Sequence, residues 1–280
     1  MGRFILSAFA DEYDDSLEAQ LQGLKSFGIG FIELRFVDKK NISALTDAEL
    51  SEVKRRLDES GIRVSAIGSP LGKIRLDEDT EAHLRLTERV CEIASRLGTR
   101  YIRMFSFYPP KDGNISEHRD KVLSLLERML EIAERYGVIL CHENEARIYG
   151  EAPESCLDLL SHFGGRLKAV FDMGNFALEG YDPVRAYRML REYIEYFHIK
   201  DGFAHGAIVP AGKGEAHIAE ILSDYAAGTD REVFISLEPH LETFSGLNAL
   251  TDAKLEHSYV YENRQAAFTD AVAKLKEILN

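Results

Sequence analysis

The sequence predicts a single-domain (β/α)8 TIM barrel of the α/β class, spanning residues 1–280. Three observations predict it: eight short β-rich apolar runs, stretches of helical apolar spacing between them, and glycines where most helices hand over to the next strand. The runs start about 26 to 39 residues apart, which suits one strand, one helix and two loops. No Ser/Gly linker or low-complexity block divides the chain. The main rival, a doubly wound nucleotide-binding sheet, would need a phosphate loop after a strand, and neither Gly-x-Gly-x-x-Gly nor Gly-x4-Gly-Lys-Ser/Thr occurs.

The first strand is expected at 4–10. Its seven residues end in an Ala-x-Ala-like pattern, but they are too short and too weakly preceded by charge to read as a signal core. A helix follows at 16–27, with Leu17, Leu21 and Leu24 on one face, and Gly28 closes it. The second strand is expected at 30–37, then a helix at 47–60 capped by Asp47, then Gly61 and a strand at 63–70. Gly98 precedes the strand at 101–108. Val122, Leu125, Leu126, Met129 and Ile132 mark a helix at 121–135, and Gly137 precedes the strand at 138–145. Pro153 and Pro183 sit where first helical turns should be, a position proline tolerates. Between them Gly164 precedes a strand at 167–174. The last two strands are expected at 194–201 and 233–241, followed by a strand-poor stretch at 241–256 and a final helix near 259–279.

Apolar residues make up 45% of the chain and charged residues 29%, which excludes a disordered, collagen-like or fibrous protein. No apolar run is long enough to cross a bilayer. The net charge of −13 repels phosphate backbones and anionic lipid, so nucleic acid and membranes are disfavoured partners. Cys91, Cys141 and Cys156 are odd in number and form no Cys-x-x-Cys, so the expected compartment is the reducing cytoplasm. The oligomeric state is left open, a homo-oligomer included.

Barrel chemistry sits at the carboxyl ends of the strands. Period-two alternation gives strands 5 to 8 one candidate ligand each at similar height: Glu143, Asp172, His198 and Glu238. Three carboxylates and one imidazole form a hard O/N donor set suited to one Mn2+, Mg2+, Co2+ or Zn2+. Burying those carboxylates together without a cation would force their pKa values up. The bland alternative is that each finds a local hydrogen-bond partner at the rim.

The stretches around these residues resemble the sugar phosphate isomerase/epimerase family of xylose-isomerase-like barrels. That family includes ketose 3-epimerases, hydroxypyruvate isomerase, inosose dehydratase and endonuclease IV. The resemblance extends to Phe31-Ile32-Glu33-Leu34-Arg35, Ser69-Pro70-Leu71-Gly72-Lys73-Ile74 and the glycine-rich Pro210-Ala211-Gly212-Lys213-Gly214. It implies metal ligation by Glu143, Asp172, His198 and Glu238, with Mn2+ favoured. It also implies that Glu143 and Glu238 flank a small sugar or sugar derivative as acid and base, through a metal-chelated enediolate. The expected enzyme is therefore a metal-dependent sugar isomerase or epimerase of carbohydrate metabolism.

The chain departs from the epimerase pattern. Asn175 stands where a histidine is usual, and Ala204, followed by His205, stands where an arginine is usual. Lys200, Arg103, Arg35, Lys73, His240, Glu145 and Asn175 are then the candidate substrate contacts. Plain alternatives are ion pairs of Lys200 with Asp201 and of Arg35 with Glu33. Other readings are an inosose-dehydratase-like lyase, a non-catalytic sugar-binding barrel and an endonuclease IV-like phosphodiesterase. The last is opposed by the charge and by missing histidines.

Overall fold

The runs rich in Ile, Val, Phe and Leu form strands because their side chains pack on both faces of a pleated sheet. The computed structural model describes residues 3–204, 206–242, 256–257 and 259–280. The barrel strands are β1 (Arg3–Ala8), β2 (Phe31–Leu34), β3 (Arg63–Gly68), β4 (Tyr101–Met104), β5 (Ile139–Glu143), β6 (Lys168–Asp172), β7 (Ile194–Ile199) and β8 (Glu232–Leu237). Their hydrogen-bonded order is β1-β8-β7-β6-β5-β4-β3-β2, parallel throughout. The strands β1 and β2 lie alongside each other, with no ladder between them among the described residues, so the barrel is nearly closed.

The helices are α1 (Leu17–Ser26), α2 (Asp47–Ser60), α3 (Thr80–Leu97), α4 (Arg119–Tyr136), α5 (Pro153–His162), α6 (Met173–Leu178), α7 (Pro183–Leu190), α8 (Ile218–Ala227) and α9 (Arg264–Leu279). Each turns an apolar stripe to the barrel; α4 buries Val122, Leu125, Leu126, Met129 and Ala133 at helical spacing. Gly61, Gly98 and Gly137 end α2, α3 and α4 in the left-handed conformation that the sequence spacing implies. Pro153 and Pro183 occupy first turns. In α9, Arg264 Nη1 donates to Asp15 Oδ1 at 2.9 Å and Nη2 to the Asp11 carbonyl, which ties the last helix to the turn after β1.

Four expectations need correction. The strands stop short of their expected ends, because the residues beyond leave the ladder to line the barrel mouth. Ala10–Glu12 forms a 3-10 turn, and Met173 begins α6 with Asp172 as its cap. The cap of α2 is Thr46, not Asp47; Thr46 and Glu49 form a capping box that satisfies two backbone donors at once. Two helices, not one, connect β6 to β7. The final helix starts at Arg264 rather than near 259. His205 and most of the stretch 241–256 lie outside the described residues. Two short strands, Asp201–Gly202 and Ala207–Val209, pair beyond β7, and Glu256–His257 joins their edge.

The loop after β3 is pinned against the chain after β4. Phe105 N–H donates to Leu71 O at 2.8 Å and Phe107 N–H to Gly72 O at 3.0 Å. Gly72 sits at φ +82°, where a Cβ would lie 1.9 Å from the Phe105 carbonyl oxygen. No side chain fits there, so Gly72→Ala should lower unfolding free energy by about 3 kcal/mol or more in urea titration. The Gly72 N–H donates to Nε2 of buried His83 at 2.8 Å, which requires that nitrogen to be unprotonated. Burial pushes His83 from 6.5 down to about 4. Its neutral form therefore supports the fold above pH 6.5, and that support is lost as pH falls towards 4. In this window the stability of the wild type should fall by up to about 1.4 kcal/mol per pH unit more steeply than that of His83→Gln.

Candidate active site at the barrel mouth

Successive strands deliver Glu143, Asp172 and His198 to one point, and Glu238 follows the end of β8. All four are buried, and one ligand atom from each lies within 4.8 Å of the others. Each carboxylate has one oxygen held from behind and the other turned inward. Asp172 Oδ1 accepts the Asn175 N–H at 2.8 Å as the cap of α6. Glu238 Oε1 accepts Arg35 Nη1 at 2.7 Å. Glu143 Oε2 lies 3.4 Å from Arg103 Nη1. Inward, Glu143 Oε1 and Glu238 Oε2 lie 2.8 and 3.3 Å from His198 Nδ1. Asp172 Oδ2 and Glu238 Oε2 have no hydrogen-bond partner among the described residues.

Glu33 lies beneath the ring of His198, its oxygens 3.1 and 3.2 Å from Nε2, and it also accepts the Tyr196 hydroxyl at 2.9 Å. A proton on Nε2 donated to Glu33 leaves Nδ1 facing the inward oxygens, the usual way a carboxylate sets a metal-ligating tautomer. Burial opposes protonation of His198, but Glu143 and Glu33 together hold its pKa well above the ordinary value. Burial raises Asp172 to about 7 against the pull of Lys200. This donor set of three inward carboxylate oxygens and one ring nitrogen fits a hard divalent cation.

Arg35 does not pair with Glu33, the group expected from local spacing. Its Nε and Nη2 donate to Asp11 at 2.8 and 3.2 Å, Nη2 also to Glu12 at 3.1 Å, and Nη1 to Glu238. Glu33, the expected partner, belongs to His198. Burial pushes Glu12 up to about 8 despite Arg35. Lys200 likewise turns to Asp172 Oδ2 (3.1 Å) and Glu238 Oε2 (3.5 Å) rather than to Asp201. Asp201 instead accepts backbone N–H groups of the loop after β7.

The other expected contacts divide by place. His240 Nε2 lies 3.4 Å from Glu12 and 3.5 Å from Glu238. Lys73 pairs with Glu145 at 3.0 Å nearer the rim. Asn175 lies behind the cluster, donating its amide to the Asn144 carbonyl at 2.9 Å. Asp11, Glu12, Glu33, Asn144 and Tyr196 are parts of the site that the sequence reading did not single out. Alternation does place Tyr196 on the face of His198, and Asp11-Glu12 directly follows β1, so both carried a signal.

The sequence pattern of the family described as xylose isomerase-like TIM barrel matches residues 21–256. The chain belongs to that family. No curated protein matches it. Solved structures share the barrel. A probable 3-DHS dehydratase, AsbF, from Bacillus anthracis is 19% identical with a TM-score of 0.71, over 100% of this chain and 99% of the other. D-psicose 3-epimerase from Clostridium cellulolyticum H10, solved with D-tagatose, is 16% identical with a TM-score of 0.73, over 98% of each chain. A xylose isomerase-like barrel protein from Mycobacterium smegmatis, in complex with magnesium, is 16% identical with a TM-score of 0.68, over 97% of each chain. These likenesses carry the barrel; the chemistry rests on this chain's own residues. No helix among the described residues is long and apolar enough to cross a membrane.

Removing Arg35 would leave Asp11, Glu12 and Glu238 buried together without their shared cation. Arg35→Met should cost about 3–5 kcal/mol in chemical unfolding at neutral pH. Unchanged stability would show that the three acids rearrange or are neutral.

Proposed function

We propose that this protein is a divalent-metal-dependent isomerase or epimerase of a small sugar or sugar derivative. Glu143, Asp172, His198 and Glu238 hold the metal, and Glu143 and Glu238 serve as acid and base. The observation that carries the reading is the division of each carboxylate into one braced oxygen and one inward oxygen around His198 Nδ1. A divalent cation there supplies Lewis acidity to neighbouring carbonyl and hydroxyl oxygens of the substrate, which acidifies the C–H between them.

The protein's own groups do the remainder. Glu143 and Glu238 come from opposite sides of the four-residue arc, so one can take the proton and the other return it. Return to the same carbon inverts it, and return to the neighbouring carbon moves the carbonyl. Lys200, within reach of Asp172 and Glu238, supplies a fixed positive charge beside the developing negative oxygen. Asn144 locks the ends of β5 and β6 together, exchanging hydrogen bonds with the Asp172 backbone at 2.9 and 3.1 Å. Three free, buried cysteines suit a cytoplasmic enzyme.

A lyase is the second reading. Lys200 favours it, because an ammonium beside the base is also the group that can protonate a departing β-hydroxyl. The dehydratase among the structural neighbours is consistent with it.

Saturating Mn2+ should raise the melting temperature of the wild type, and His198→Ala should lose most of that rise. With Mn2+ saturating, Glu143→Gln and Glu238→Gln should each lower turnover about 100-fold or more. Asp172→Asn should be partly rescued by metal. In D2O, proton NMR should show each glutamine variant exchanging the α-proton of one epimer only. Near wild-type exchange into both epimers by both variants would remove the glutamates as the acid–base pair. An ultraviolet-absorbing product formed with loss of water would favour the lyase.

A further inference from the structure

Arg103, on β4, is 2% exposed, and its Nη1 lies 3.4 Å from Glu143 Oε2. The other edge of the same guanidinium, Nε and Nη2, has no hydrogen-bond partner among the described residues. Arg35 shows what a satisfied buried guanidinium looks like here. Its Nε/Nη2 edge grips both oxygens of Asp11, at 2.8 and 3.2 Å. Arg103 is held against the rings of Phe105 and Phe9, its Cζ 4.6 and 5.4 Å from their centroids. Those rings attract the charge but offer no lone pair to an in-plane N–H. A buried charged edge without an acceptor is a deficit that a ligand can remove. Gly68 lets the Phe9 ring and this guanidinium pack against the strand, since a Cβ there would lie 2.4 Å from Phe9 Cε1 and 3.1 Å from Arg103 Nη2.

We propose that the Nε/Nη2 edge of Arg103 receives a carboxylate of the substrate, making the substrate a polyhydroxy acid; this deepens, and rests on, the reading of the site as a sugar-transforming centre. Two parallel N–H groups match the two oxygens of a planar carboxylate. A phosphate would need further donors, and a glycine-rich loop is the usual source of them. Here that loop is already filled. Asp201 accepts N–H groups of Gly202 (2.9 Å), Gly212 (2.8 Å), Gly214 (3.0 Å) and Ala216 (3.0 Å). A Cβ at Gly214 would lie 2.4 Å from Asp201 Oδ1, so the carboxylate fits closely into the loop. The backbone cradle that could take a phosphate holds the protein's own anion, and the guanidinium edge remains for the substrate's.

The test is calorimetric titration of the full chain with matched probes, in Mn2+ and again after chelation. The probes are quinate against myo-inositol, gluconate against glucitol, and inorganic phosphate. The acids should bind the wild type about thirtyfold or more tightly than their uncharged partners. That preference should survive chelation, shrink to about threefold or less in Arg103→Met, and persist only in part in Arg103→Lys, which keeps the charge without the fork. Should Arg103→Met fail to fold, the wild-type comparison and Arg103→Lys still decide. Equal binding of acids and polyols by the wild type overturns the proposal. So does a preference that disappears on chelation and is retained in the Arg103 variants, which would place the carboxylate on the metal. Phosphate binding tighter than either acid also overturns it. Carboxylate preference in a protein that neither exchanges deuterium nor releases water would leave the Arg103 assignment standing and remove the isomerase reading. Exchange on neutral sugars with wild-type kcat/KM in Arg103→Lys would do the reverse.

Discussion

The structure of the barrel mouth depends on keeping three carboxylates close together around one imidazole. At such separations like charges repel by several kcal/mol at the effective dielectric of a protein interior. The fold meets this by giving every carboxylate its own donor from a different element. A helix N-terminus holds Asp172, Arg35 from β2's end holds Glu238, and Arg103 from β4 stands behind Glu143. His198 closes the arrangement, with Glu33 below it fixing which nitrogen faces inward. Without these braces the inward oxygens would have no fixed positions, and a site built on their convergence would not exist.

Arg35 extends the same logic outward. Its three nitrogens make four hydrogen bonds to three acids, one of them in the inner cluster, and its Cζ lies 4.2 Å from the Phe9 ring centroid. Taking such groups out of water costs several kcal/mol per ion, so the network gains less in stability than in position. What it secures is the relation of the end of β2, which carries Arg35, to the turn after β1, across the place where no ladder joins neighbouring strands among the described residues. On its other side Glu12 accepts the His240 N–H through Oε2 at 2.8 Å, beyond the β1–β8 ladder, so one acid links the chain ends after β1, β2 and β8. Ion pairs replace strand pairing at the weakest seam of the barrel.

The strands, their starting points and the glycine caps were legible because burial on both sheet faces and the left-handed cap impose strong local patterns. The four inward residues were legible because period-two alternation and barrel topology together fix which side chains reach the mouth. The strand ends were not, since Phe105, Phe107 and Met173 are as apolar as strand residues while packing a loop or starting a helix. The braces were not legible either, because pairing across a barrel is decided by layers. Glu33 and Arg35 are two residues apart and look like an ion pair in sequence. Two residues along a strand are roughly 7 Å, one full layer of the interior. Glu33 therefore meets His198 and Tyr196 in the lower layer, and Arg35 meets Asp11, Glu12 and Glu238 in the upper one.

The cations around the cluster differ in how far the protein itself satisfies them, and that difference separates framework from receptor. Arg35 is saturated by acids of the chain, so its geometry is set before any ligand arrives. Lys200 points at the inward oxygens of Asp172 and Glu238, the latter shared with His198, so its charge acts in the space where the chemistry is proposed. Arg103 touches the cluster with one nitrogen, and its bidentate edge has no acceptor among the described residues. A folded protein tolerates such an edge at a cost in stability, and buried deficits of this kind concentrate where binding removes them. An anion that joined Arg103 would share that guanidinium with Glu143. The substrate would then be anchored beside one candidate base and oriented towards the other.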